Sequence, residues 1–158
     1  MESTLVEQSR LEAKDFLPLN GTDHVEFYVG NAKQSAYYYQ AAWGYELVAY
    51  AGPETGIREY ASYVLQQGKI RIVLTSAFSA THPIAQHQLV HGDGVKVLAL
   101  WVDDAKAAYE ATISRGAKSA IAPTVAKDEF GEVVIAAIET YGETIHKLVK
   151  KKNYNGAF

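Results

Sequence analysis

The chain has no cysteine, one methionine, four prolines and two tryptophans among its 158 residues. Without cysteine there is no disulfide, no thiolate nucleophile and no thiolate metal site, so the fold must be held by its apolar core. Apolar residues make up 48% of the sequence, enough for one domain that buries about two thirds of its unfolded surface. They are dispersed: no unbroken apolar run approaches the roughly 20 residues of a membrane-spanning helix. The opening segment, MESTLVEQSRLEAKD, mixes both charge signs and lacks the apolar stretch of a secretory signal, which predicts a cytoplasmic protein. A surplus of one charge is missing too. With 15 basic and 18 acidic side chains the net charge is −3, too little to recruit a phosphate backbone, and no nucleic-acid or membrane partner is expected. The one basic cluster, Lys150-Lys151-Lys152, reads as a solvated strand end.

What the chain does contain is an internal repeat. Slid against itself, the run from His24 to Lys33 falls on the run from Val97 to Lys106, with Val29, Ala32 and Lys33 recurring as Val102, Ala105 and Lys106. Tyr28 meets Trp101, a polar helix-capping candidate follows in both copies, and the helical runs close on Gly44 and Gly116. A repeat this long is not a solenoid unit, so two packed modules of one domain are expected. In the first, a strand over 22–29 leads to Asn31 as N-cap and a helix over 32–43, with Ala32, Ala36, Tyr39 and Trp43 as its packing stripe. Strands over 45–50, 57–66 and 69–75 follow, punctuated by Gly-rich turns. A short helix from Thr81-His82-Pro83 to His91 is the connector. The second module repeats the plan: strand 95–102, helix 105–115, and strands 118–125, 132–140 and 144–150. The predicted fold class is therefore α+β, two βαβββ modules with helices on the outside of mixed sheets. The predicted layout is an extension over 1–15, one domain over 16–152 with modules 16–76 and 94–150 and connector 77–93, and a linker beginning over 153–158.

His24, in mid-strand on a leading strand, is the sharpest candidate for chemistry. A metal there would need co-ligands from equivalent strands. The repeat places Val97 at the second position, and neither closing strand, KIRIVLT or TIHKLVK, carries a carboxylate. His146 would join His24 only by pointing into the same cavity, beside a cationic Lys147. His87 and His91, four apart, share a helix face near His82, but no glutamate follows His87 as it does in zinc-protease helices. No serine sits in a Gly-x-Ser-x-Gly turn, and Gly92-Asp93-Gly94 precedes a strand, not the helix N-terminus that a phosphate loop needs. The eleven tyrosines, with Tyr37, Tyr38 and Tyr39 consecutive, divide between core and surface because adjacent helical positions point apart. The expectation is no catalytic, no cofactor-binding and no metal-ligating residue, with His24 the only remnant of a ligand position.

The segments DHVEFYVGNAKQSAYYYQAAWGYELVAY, LQQGKIRIVLTS, HGDGVK and ETYGETIHKLVKKKNYNGAF, in that order, resemble the front domain of the 4-hydroxyphenylpyruvate dioxygenase family, within the vicinal oxygen chelate superfamily. The resemblance implies a parent enzyme that turns 4-hydroxyphenylpyruvate and dioxygen into homogentisate and carbon dioxide in tyrosine catabolism. It implies iron(II) bound by two histidines and one glutamate in a C-terminal catalytic domain beyond this chain, and a homo-oligomer. The fragment itself would be structural and inactive. The front domain of 4-hydroxymandelate synthase fits the same motifs. A free-standing module that sequesters an aromatic ligand is the rival from another class, motivated by the tyrosines.

Overall fold

β-Branched and aromatic residues suit a pleated, half-buried surface, and the run around Val25, Phe27 and Tyr28 supplies them. In the computed structural model, which describes residues 15–152 and 154–156, this run is β1 (Gly21–Tyr28). The extension expected over 1–15 lies, except for Asp15, outside the described residues, as do positions 153, 157 and 158 of the expected linker. Asn31 follows in extended conformation and its side-chain oxygen accepts from the Gln34 N–H, starting α1 (Ala32–Trp43). Gly44, at φ 75°, ends it in the left-handed region that a side chain disfavours. Strands β2 (Glu46–Ala51), β3 (Tyr60–Gln67) and β4 (Ile70–Ala77) complete the first module. The connector helix α2 (Pro83–His91) leads to β5 (Gly94–Trp101), α3 (Ala105–Ser114), β6 (Ser119–Asp128), β7 (Gly131–Glu139) and β8 (Ile145–Lys152). Asp104 caps α3 as Asn31 caps α1, accepting from the Lys106 and Ala107 N–H groups.

All eight strands form one sheet in the order β2-β3-β4-β1-β5-β8-β7-β6. Each module pairs its first and last strands in parallel, β1 with β4 and β5 with β8, and the halves join where β1 runs antiparallel to β5. At that seam Val25 faces Leu98, flanked by His24 opposite Ala99 and Glu26 opposite Val97. This reciprocal register is what a local two-fold axis through the Val25–Leu98 pair requires if His24 and Val97 are equivalent, so the three-dimensional pairing has the same alignment as the sequence repeat.

Alternation along the strands sends one set of side chains toward the helices and the other to the opposite face. In the first module Phe27, Val29, Leu65, Ile72 and Leu74 pack against Ala32, Ala36 and Tyr39 of α1. In the second, Leu100, Val102, Val134 and Leu148 pack against Ala105, Ala108 and Tyr109 of α3. Burying a leucine such as Leu65, Leu74 or Leu148 contributes about 2–3 kcal/mol each. Two expectations fail at element ends. Trp43, expected on the packing stripe, is 59% exposed: its carbonyl accepts from the Gln67 side chain of β3 while its ring stays outside, and Tyr39 turns back onto Tyr45. Residues 57–59 do not join a strand: the Ile57 N–H bonds to the Gly52 carbonyl, extending the preceding turn, and β3 begins at Tyr60 opposite Ala77. Tyr37 and Tyr38 are exposed, as adjacent helical positions dictate. Within the expected linker, Tyr154 donates to Asp128 and the Asn155 N–H bonds to the Phe130 carbonyl, so this segment folds back on the β6–β7 turn. Among the described residues, no helix is long and apolar enough to cross a membrane.

Candidate functional site

The face of the first module away from α1 is polar. His24, Glu26 and Tyr28, at every second position of β1, line a cavity of 540 Å³ with Ser62 of β3, Thr75 of β4 and Lys147 reaching over from β8, while His82 and Ile84 of the connector border it. Thr75 Oγ1 donates to Glu26 Oε1 at 2.7 Å and lies 2.8 Å from Ser62 Oγ. A threonine hydroxyl has one proton to give, so Ser62 is the donor to Thr75, and a Ser62–Thr75–Glu26 relay is fixed in direction. Burial, reinforced by the Glu26 charge, pushes the Tyr28 phenol up to about 12, so it stays neutral and able to donate.

His24 is only 5% exposed. Burial pulls its imidazole below the ordinary histidine value, and the Lys147 charge adds to this against the opposing hydrogen bond to Asp23. A neutral ring then donates through Nδ1 to Asp23 Oδ1 at 2.7 Å. Lys151 Nζ bonds the same carboxylate, 3.0 Å from Oδ1 and 2.9 Å from Oδ2. Burial alone would raise the Asp23 carboxyl, but the hydrogen bonds from His24 and Lys151 and the Lys151 charge outweigh it and hold the group at about 2.

A carboxylate behind a histidine also orients metal ligands, and the iron that the resemblance implies would need further donors around His24. The residues there do not fit it. At the position related to His24 by the two-fold, Val97 is buried in an apolar cluster with Ala99, Val149, Val133 and Ile135. The β1–β4 and β5–β8 registers make Thr75 equivalent to Val149 and Glu26 equivalent to Ala99. The second module has therefore exchanged His24, Glu26 and Thr75 of this face for aliphatic side chains, and Lys147 adds an ammonium where a carboxylate would be needed. His146 does not join His24. Its register places it as the counterpart of Ile72, two residues before core Leu148, and hence on the helix-facing side of the sheet, where its buried Nδ1 has no hydrogen-bond partner.

The connector histidines part company. His82 is the N-cap of α2, its Nδ1 accepting from the Ile84 N–H. His87 and His91 share a face as their spacing predicts, with ring centroids 4.4 Å apart, and meet Glu143 from the short turn before β8. The sequence reading missed Asp23, Glu26, Lys151 and Glu143 as site residues. Glu26 was visible in the alternation His24-x-Glu26-x-Tyr28. Glu143 carried no local signal, because only the tertiary fold brings it to the connector.

Two βαβββ modules joined through their leading strands define the vicinal oxygen chelate fold. A family model described as "Hydroxyphenylpyruvate dioxygenase, HPPD, N-terminal" matches residues 15–157. The chain belongs to this family of dioxygenase N-terminal domains. It is 45% identical over 148 residues to the 4-hydroxyphenylpyruvate dioxygenase of Tetrahymena thermophila, an alignment covering 87% of this chain and 35% of that protein. Across the named relatives it matches, the chain spans 35–40% of their length. A 4-hydroxymandelate synthase mutant from Streptomyces coelicolor superimposes with a TM-score of 0.79 at 28% identity, over 85% of this chain and 39% of that one. The methylmalonyl-CoA epimerase of Mycobacterium tuberculosis, at 20% identity, shares the fold with a TM-score of 0.68, over 89% of this chain and 94% of its own.

Proposed function

We propose that the chain serves as the N-terminal domain of a 4-hydroxyphenylpyruvate dioxygenase, a cytoplasmic enzyme that converts 4-hydroxyphenylpyruvate and dioxygen into homogentisate and carbon dioxide in tyrosine catabolism. Residues 16–152 are its folded unit, preceded by an extension over 1–15 and followed from 153 by a linker to a C-terminal catalytic domain. That domain holds the iron(II) and supplies the site where dioxygen and the 2-oxo acid react; the whole protein is a homo-oligomer, and this chain supports the catalytic domain and contributes to the subunit contacts. The role of this chain is structural: it carries no catalytic residue, and His24 is a remnant ligand position with Val97 in place of the second histidine. The observation that carries the reading is the family match over nearly the whole chain. The Val97, Ala99 and Val149 replacements support it, because they put aliphatic side chains at the second module's counterparts of His24, Glu26 and Thr75.

Oxygen uptake with iron(II) and 4-hydroxyphenylpyruvate tests it. The 158-residue chain alone should consume none, and turnover by the chain alone would overturn the proposal. The coding sequence beyond the Phe158 codon should run into a second module with two histidines and a glutamate. The product of that longer protein separates the dioxygenase from 4-hydroxymandelate synthase, whose solved structure this chain also matches. One observation favours a second reading: a cavity of 540 Å³ with a polar floor and Tyr28, Tyr50 and Tyr60 on its walls suits a small aromatic ligand. Saturable binding of 4-hydroxyphenylpyruvate to the isolated chain in calorimetry, together with a natural stop after Phe158, would replace the first reading with a free-standing binding module.

A further inference from the structure

The groups that the proposed function leaves idle are on the connector. His87 and His91 lie one turn apart on α2. The His87 side chain is 10% exposed and stands edge-on to the Tyr28 ring, centroids 5.5 Å apart, so its rotamer is fixed by packing against β1. From the other module, the turn Tyr141–Glu143 brings a carboxylate to the same point: Glu143 Oε2 is 3.1 Å from His91 Nε2 and 3.6 Å from His87 Nδ1. The turn is held in place. Lys96 Nζ donates to the Glu143 carbonyl, and Thr144 Oγ1 donates to the Tyr141 carbonyl at 2.7 Å. One ligand atom from each of the three side chains falls within 4.8 Å of the others, and among the described residues this is the one such grouping of histidine and acidic donors.

We propose that His87, His91 and Glu143 form a divalent transition-metal site, of zinc(II) type, that clips the connector helix to the second module. Two imidazole nitrogens and one carboxylate oxygen are the donors that zinc, cobalt and nickel prefer, whereas calcium and magnesium take oxygen cages. Ligands held at 2.0–2.1 Å by a tetrahedral zinc stand about 3.3 Å apart. The 3.1 and 3.6 Å separations from Glu143 bracket that distance, and the two histidine nitrogens lie within 4.8 Å of each other, so rotation of the exposed Glu143 and His91 side chains brings the three donors to one ion. Glu143 is 71% exposed, which leaves the fourth position to water and the entry path open. The Lys96 ammonium is the nearby charge opposing a cation, and its commitment to the Glu143 carbonyl keeps it on the backbone side of the turn. The site is separate from the His24 cavity and from the reading of the chain as a dioxygenase front domain, so either can fail alone.

Cobalt(II), whose tetrahedral complexes absorb in the visible, and zinc(II) are titrated into the chelator-treated 158-residue chain. One ion per chain should bind, and zinc should raise Tm as its concentration rises. Loss of even an outer partner of a metal ligand costs about 10–100-fold in affinity, so Glu143→Gln and His91→Ala should each weaken zinc binding by at least about tenfold. Glu110→Gln, at an exposed carboxylate on α3, should leave it unchanged. Both ligand variants alter exposed side chains, and circular dichroism confirms that they fold. Absence of equimolar binding, or equal affinity in the parent, Glu143→Gln and His91→Ala, overturns the site.

Discussion

Replacing Asp23 by asparagine should cost about 2 kcal/mol at neutral pH, and the cost should vanish in acid. The carboxylate is 8% exposed, bonded to His24 and to Lys151, and its pKa falls from 3.8 to about 2. That fall corresponds to roughly 2 kcal/mol of folding free energy. An asparagine keeps the shape and can still accept from His24, but it removes the negative charge that Lys151 pairs with here. Because the folded carboxyl has the lower pKa, the unfolded chain takes up the proton first as pH drops. The stabilisation is complete above about pH 4 and drains away as pH falls toward 2. Urea unfolding of parent and Asp23→Asn at neutral pH, and at steps between pH 4 and 2, measures both parts. A difference under about 0.5 kcal/mol at neutral pH, the size expected of an exposed ion pair, would refute the reasoning. So would a difference that stays constant through the acid range.

Two further substitutions probe the fold. Leu65→Ala removes a fully buried side chain between β3 and α1 and should destabilise by about 2–5 kcal/mol in the same assay. Asn31→Ala and Asp104→Ala each remove a helix cap and should cost about 1 kcal/mol. The two caps should differ with pH: hydrogen bonds from the Ala107 and Lys106 N–H groups lower the Asp104 carboxyl, so only its contribution should fade on acidification, as thermal melts of both variants across the acid range will show.

Local rules carried much of this structure. Asn31 and Gly44 bracket α1 because capping and the left-handed exit depend on single side chains, or the lack of one, and can be read where they stand. The repeat announced the two-fold seam, since matching sequence in two halves implies matching pairing at Val25 and Leu98. What escaped was tertiary. Trp43 fits the helical period of the stripe, but the period does not say which side chains of the last turn the sheet covers. Residues 57–59 have strand-like character, yet the Gly52 carbonyl claims the Ile57 N–H first. His146 shows the sensitivity of a strand to phase: one step from Lys147, it faces the opposite side of the sheet from His24. His24 was legible as the histidine of β1, whereas the groups around it, Asp23 next to it and Lys151 at the far end of the chain, form an ion pair only once β1 and β8 lie on either side of β5.

The antiparallel contact between β1 and β5 is the place where the two halves of this chain are stitched backbone to backbone. Unpicking it would bare two strand flanks rich in vacant amide and carbonyl groups, each a template for the same sequence in a neighbouring molecule. With the connector pulled straight, two chains could trade their second halves and regain every bond they had lost. A mutation that loosens the Val25–Leu98 stitch therefore threatens more than stability: it changes which molecule a half-chain recognises as its own.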